Sequence, residues 1–192
     1  MFDRDWAARG DPIRKVIVTE FLTLDGVYED STPWQQGYSP EDGPFKHDEL
    51  FESGGPLLGR VTYQGFAAYW PTASGTGAFG ERMNSLPKFV VTTTLGSLEW
   101  NATAPEGDIG AAVRALRQQD GQNLLVYGSG TLVQTLLRLG LVDELRLMVY
   151  PLVLGSGKRL FADGDRLALN LTSSRDLGSG MLLLTYGPVA GS

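Results

Sequence analysis

The 192-residue chain contains no cysteine. That absence excludes disulfides and thiolate metal sites, and it points to a cytoplasmic protein. Histidine is nearly missing too. The single His47 stands alone in the charged stretch "FKHDEL", so no histidine cluster can hold a metal ion, and none is expected. Basic residues are outnumbered 16 to 22, giving a net charge of −6. They form no stripe, so neither a nucleic-acid backbone nor an anionic membrane is an expected partner. No apolar run approaches the length of a membrane span. Internal repeats and low-complexity tracts are also missing. What remains is 42% hydrophobic and 20% charged, the composition of one globular domain.

Residues 1–13 show no periodicity and read as a loose leader. Residues 14–190 read as a single domain. "RKVIVTEFLTLDGV" is rich in Val, Ile, Phe and Thr and ends at Asp25-Gly26, the pattern of a core strand closed by a turn. Residues 27–44 read as a long loop, a length that usually carries function. A short helix over 45–53 and a brief strand at Leu57-Leu58 follow. Tyr63, Phe66, Ala67 and Trp70 share one helical face, and Pro71 stops that helix. Beyond the glycine-rich stretch 74–80, "KFVVTTTL" reads as a strand. Ile109, Ala112, Val113 and Leu116 predict a helix capped by Asp108. "NLLVY" is a strand, and Leu132, Val133, Leu136 and Leu137 are the buried stripe of the next helix, closed by Gly140. Residues 143–155 read as one long strand, and residues 167–188 as a terminal hairpin.

Strands alternating with helices predict an α/β fold. The sheet should be mixed, mostly parallel with an antiparallel C-terminal edge, and helices should cover both faces. Such sheets bind ligands outside the carboxyl ends of their strands. The segments after Asp25, Leu58, Thr92 and Tyr127 should therefore meet at one rim. Gly128-Ser129-Gly130-Thr131 joins a strand to a helix whose first N–H groups lack partners. A phosphate could sit there, or the glycines could simply permit a sharp turn. Gly59-Arg60-Val61-Thr62 repeats the arrangement, with an arginine where the helix dipole disfavours a cation. That placement suggests an anionic ligand, or else a surface salt bridge. "LRLMVYPLVLG" carries apolar residues on both faces of a strand placed near the sheet edge. A homodimer burying at least ~1,000 Å² is expected from that pattern.

Taken together, "TLDGV", "LLGRVTYQGFAAYWP", "LPKFVVTTTL", "LVYGSGTLVQTLLRLGLVDELRLMVYPLVLGSGKRLF" and "SGMLLLTYGPV" resemble the dihydrofolate-reductase-like family. The similar branch is the one related to the reductase domain of riboflavin-biosynthesis deaminase/reductases, and the likeness spans about residues 14–188. It implies a dihydrofolate-reductase fold, NADPH as cofactor and a homodimer. Gly59, Arg60 and Thr62 match the family's G-R-x-T motif for the adenosine phosphates. Gly128, Ser129, Gly130, Thr131 and Leu132 match its diphosphate turn. Thr92, Thr93 and Thr94 match a strand end where relatives show Ser-Arg-Thr, so Thr93 replaces a cation and the NADPH preference falls mainly on Arg60. Asp25 matches the acid of the S-L-D-G motif.

Tyr127 stands where the riboflavin reductases carry a glutamate, and these 192 residues hold no Cys or His set that could bind a deaminase's zinc. The expected activity is an NADPH-dependent reductase acting on a C=N or C=C bond of a small heterocycle. Asp25 is expected to orient or protonate that substrate, Trp34 to stack on it, and Tyr127 to donate a hydrogen bond. The competing readings are a non-catalytic dinucleotide-binding dimeric scaffold and a 5-amino-6-(5-phosphoribosylamino)uracil reductase.

Overall fold

The computed structural model describes residues 14–35, 42–92, 94–161, 163–164 and 166–189. The expected leader lies outside them. Branched apolar residues start the sheet with β1 (Val16–Thr23). Two helices follow, α1 (Ser31–Gln35) and α2 (Asp42–Phe51), then β2 (Ser53–Gly59), α3 (Arg60–Tyr69), α4 (Gly77–Ser85) and β3 (Lys88–Val91). The chain continues through β4 (Ala102–Thr103), α5 (Ile109–Arg117), β5 (Asn123–Tyr127) and α6 (Gly130–Arg138). It finishes with β6 (Glu144–Tyr150) and the hairpin of β7 (Leu169–Gly178) and β8 (Met181–Pro188).

These strands form one eight-stranded sheet in the order β4-β3-β2-β5-β1-β6-β8-β7. Every pair from β4 to β6 is parallel, and β8 joins β6 and β7 antiparallel. Alternation sends Val16, Val18 and Leu22 toward α5 and α6, where Val113, Leu116, Leu132, Val133 and Leu136 complete one core. Ile17 faces the other way, joining Leu50 of α2, Tyr63 of α3 and Met83 of α4. Farther along that face Met148, Tyr150, Met181 and Leu183 pack under Phe21, Trp34 and Phe45. Helices thus cover both faces, as the sequence implied.

Local signals explain most boundaries. The Asp108 carboxylate accepts from the Ala111 N–H at 2.8 Å and caps α5. Gly140, at φ 64°, closes α6 while the N–H groups of Gly140 and Leu141 return to Leu137 and Leu136, a Schellman arrangement.

Five expectations require correction. β2 begins at Ser53, because Gly54 and Gly55 run inside the strand instead of ending one. A Cβ on Gly54 would fall 2.5 Å from the Gln122 carbonyl oxygen, and one on Gly55 would fall 2.2 Å from that of Pro87. The glycines are there so that neighbouring backbones can come close. Residues 77–85 form a helix, since Phe79 and Met83 give it an apolar face despite the surrounding glycines. β3 stops at Val91, where the Thr92 hydroxyl turns the chain by accepting from the N–H groups of Thr94 and Leu95. The long loop contains α1, and α2 begins at Asp42. Finally, β6 ends at Tyr150, before Pro151, and it is not near an edge. It lies between β1 and β8, with its apolar residues spent in two cores of the same chain. Beyond Pro151, Val153 and Leu154 of the same apolar stretch stay exposed, at 64% and 40%.

Candidate active site

Because β3, β2, β5 and β1 are parallel neighbours, their carboxyl ends share one rim. Gly59 at the end of β2 donates its N–H to Ser129 Oγ at 3.0 Å, and that hydroxyl donates to the Tyr127 carbonyl at 3.2 Å. The starts of α3 and α6 are thereby tied together. Thr62 stands beside Gly128 across this junction. Gly128 and Ser129 both adopt left-handed backbone, at φ 52° and 62°. Neither Gly59 nor Ser129 caps its helix with a side-chain hydrogen bond. Two helix starts therefore offer backbone N–H groups side by side, the arrangement that suits a diphosphate.

Gly130 is glycine for another reason as well. The Tyr28 ring lies against it, and a Cβ there would fall 2.2 Å from the ring. The glycine turn therefore makes room for an aromatic ring and leaves its helix start without a side-chain cap.

Arg60 is exposed at the first turn of α3, and its Nη1 donates to Gln64 Oε1 at 3.1 Å. Thr131 and Thr94 are exposed, and Thr92 is half-buried. Leu132 is a core residue, 6% exposed, so it can offer a ligand only its backbone. Thr93 lies outside the described residues.

Asp25 does not stand ready as a proton donor. Its Oδ1 accepts from the Thr23 hydroxyl at 2.6 Å and the Leu154 N–H at 3.2 Å, and its Oδ2 accepts from the Gly155 N–H at 2.8 Å. Arg159 binds the Asp25 carbonyl through Nε at 2.9 Å and brings Nη2 to 3.6 Å from Oδ2. The Thr23 hydrogen bond, with those from the loop backbone, lowers its pKa to about 2. Asp25 is thus an ionised latch holding residues 152–160 against the end of β1.

The latch has an acid-side consequence. The folded value of about 2 lies below the ordinary 3.8, so its stabilisation is present above about pH 4 and is lost as pH falls through 2. Asp25→Asn, which cannot ionise, should melt at a lower temperature than wild type at neutral pH. The gap should close as pH drops from about 4 to 2. A gap that stays constant across that range would show that ionised Asp25 is not what holds the loop.

The latched loop and α1 border an open, shallow cleft of about 570 Å³ lined by Val27, Glu29, Pro33, Trp34, Leu154 and Ser156. Trp34 donates Nε1–H to the Glu29 carbonyl at 3.3 Å and meets Tyr150 edge-on at 5.1 Å. It forms a wall of the cleft.

Tyr127 points away from the glycine turn, under α2. The Lys46 ammonium sits 4.4 Å from its ring centroid. Its hydroxyl is buried beside Glu49 but meets no partner at hydrogen-bond geometry. Burial, and then the Glu49 charge, push the phenol well above its ordinary range. Glu49 is itself engaged, bonded to Lys46 and approached by Arg146 Nη1 at 3.5 Å. Sequence reasoning did not single out Glu49, Lys46 or Arg146. It also missed Glu20, a buried carboxyl in the middle of β1.

An open α/β sheet with an antiparallel C-terminal edge, and with polar turns gathered at its carboxyl rim, defines the riboflavin-reductase type of the dihydrofolate-reductase-like fold. The chain belongs to the RibD C-terminal domain family, whose model matches residues 14–183. It is 29% identical over 177 residues to the uncharacterized protein YyaP of Bacillus subtilis (strain 168), covering 90% of this chain and 94% of that one. The fold is shared with a protein of Shewanella sp. PV-4 ascribed to riboflavin biosynthesis, at TM-score 0.74 and 22% identity over 90% of this chain and 98% of that chain. It is shared too with the riboflavin biosynthesis reductase Rib7 of Saccharomyces cerevisiae, at TM-score 0.64 and 14% identity over 94% and 93% of the two chains.

Proposed function

We propose that the chain is an NADPH-dependent reductase acting on a C=N or C=C bond of a small heterocycle. The observation that carries this reading is the junction of α3 and α6, two helix starts without side-chain caps tied by the Gly59–Ser129 hydrogen bond. Membership of a family with reductases among its fold relatives supports it. NADPH, when bound, supplies the hydride.

The chain's own residues supply the rest. Backbone N–H groups of residues 60–62 and 128–132 hold the diphosphate, with Gly59 tying the two turns through Ser129, and Arg60 takes the 2′-phosphate. Thr92 and Thr94 border the adenosine end. Asp25 holds the loop that walls the acceptor cleft, and Trp34 offers that cleft an aromatic face.

Titration calorimetry with NADPH and NADH tests the reading. A charge-assisted contact to the 2′-phosphate is worth about 1.5–3 kcal/mol, so Arg60→Ala should weaken NADPH roughly tenfold or more and leave NADH nearly unchanged. Failure of wild type to bind either cofactor would sink the proposal. Equal losses for both would make Arg60 structural.

The riboflavin-pathway pyrimidine is not the expected substrate. Tyr127 replaces the carboxylate of the riboflavin reductases, and the nearby Glu49 carboxylate is already bound by Lys46 and Arg146. Polar groups of such a substrate would be buried without acceptors, at about 1–3 kcal/mol each. The gene should therefore fail to restore riboflavin-independent growth to a strain lacking that reductase. Growth would assign the pyrimidine.

A further inference from the structure

β5 leaves the sheet after Tyr127, which pairs with Thr19, whereas β1 runs on from Glu20 to Thr23 alongside β6. Beyond Thr19, β1 therefore has no strand beside it on the β5 side, where the chain turns away through Gly128–Gly130. Glu20 is the first β1 residue beyond the last pair. By strand alternation its side chain shares a face with Val18 and Leu22, next to Leu147, on the side covered by α6.

The residue is 4% exposed, and its Oε1 has no hydrogen-bond partner. Ionising the group would leave Oε1 with neither water nor a donor, an unfavourable state. Burial raises its pKa to about 8, with the Lys46 charge opposing part of the rise. The groups around it are apolar on β1 and β6, and the Tyr28 ring lies at the start of α6. Lys46 of α2 is the charge that acts on it. At neutral pH the group therefore keeps its proton.

Resting on the reductase reading above, we propose that Glu20 is the acid of this site, donating its carboxyl proton to the acceptor nitrogen of a C=N bond. As the acceptor carbon gains hydride, the C=N π pair moves onto nitrogen and takes the Glu20 proton. The products are the amine, the oxidised nicotinamide and the Glu20 carboxylate, which regains its proton from water. A buried neutral acid suits this step, because an enzyme acid works best with a pKa near the working pH.

Infrared spectra of wild type and Glu20→Gln test the protonation state without any substrate. The carbonyl band of a protonated carboxyl should be present in wild type near pH 7 and missing in the variant. It should disappear as pH rises past about 8, and it should move when NADPH is added. Single-turnover oxidation of NADPH with 2-methyl-1-pyrroline tests the chemistry. Glu20→Gln should slow it by roughly 10²–10⁴ while NADPH affinity, read by fluorescence, stays unchanged. Glu20→Asp, which keeps an acid should the amide variant fold poorly, should retain an intermediate rate.

An ionised Glu20 at neutral pH, or a band that ignores bound NADPH, would overturn the proposal. So would an unimpaired Glu20→Gln, or a wild type that binds NADPH yet cannot reduce the imine. Loss of NADPH binding in wild type would instead remove the reductase reading itself, with the infrared band left in place.

Discussion

Asp143→Ala should lower the unfolding free energy by about 3–5 kcal/mol, the usual result of removing one partner of a buried ion pair. Asp143 Oδ1 accepts from Arg117 Nη2 at 2.6 Å, and its Oδ2 accepts from the Val16 N–H at 2.8 Å. The two side chains are 11% and 13% exposed. Arg117 Nε already lacks a partner, so truncation at Asp143 leaves a cation with little compensation. It also frees the first amide of β1. The same place joins three elements, since Arg14 donates to the Arg117 carbonyl and Asp143 to that of Val16. Against a total stability of about 5–15 kcal/mol, the loss is a large fraction. Urea unfolding would show it as a lower midpoint with the slope unchanged. A loss under about 1 kcal/mol would mean that the pair behaves as a surface contact. Replacing Asp143 and Arg117 together by apolar residues should recover part of the stability, because no charge is then left buried.

The second large effect is one of pH. Glu20 has a folded pKa of about 8 against an ordinary 4.5. Between those values the folded chain holds a proton that the unfolded chain has released. Stability therefore falls as pH rises through this window, by up to about 1.4 kcal/mol per pH unit. Glu20→Gln removes the titration. Wild type should thus lose stability relative to the variant from about pH 5 to 8, and the difference should level off above that. Parallel stability curves over the range would show that Glu20 titrates normally, and would weaken its assignment as a neutral acid.

The framework of the fold was legible wherever a local pattern decides. Runs rich in branched apolar residues placed the parallel strands, and the stripes of α5 and α6 and their caps at Asp108 and Gly140 were in plain view. The misreadings came from residues whose meaning depends on distant neighbours. Gly54 and Gly55 read as a break, although the backbones of Gln122 and Pro87 require them inside β2. The glycines around α4 masked the spacing of Phe79 and Met83. Pro151 was the exception, a local signal that β6 had ended.

The candidate site divides the same way. Strand ends and glycine turns announced the shared rim. The latch at Asp25 could not be read, because its partners Leu154 and Gly155 are 129 and 130 residues away. Arg146 and Glu49 meet across 97 residues. Glu20 did leave a trace in "VIVTEFL", a single carboxylate in a run otherwise fit for burial on both faces.

Residues 23–29 and 152–160 are lashed together at successive points. Leu24 donates to the Leu152 carbonyl, Tyr28 to that of Lys158 and Leu160 to that of Gly26. Val27 and Arg159 form an isolated bridge, and Lys158 pairs with Glu29 at 2.6 Å. In the language of hydrogen exchange, these amides should behave as one cooperative unit, because their bonds follow one another along the same two segments. Both segments border the cleft. Its two sides should therefore be displaced together rather than by separate fluctuations.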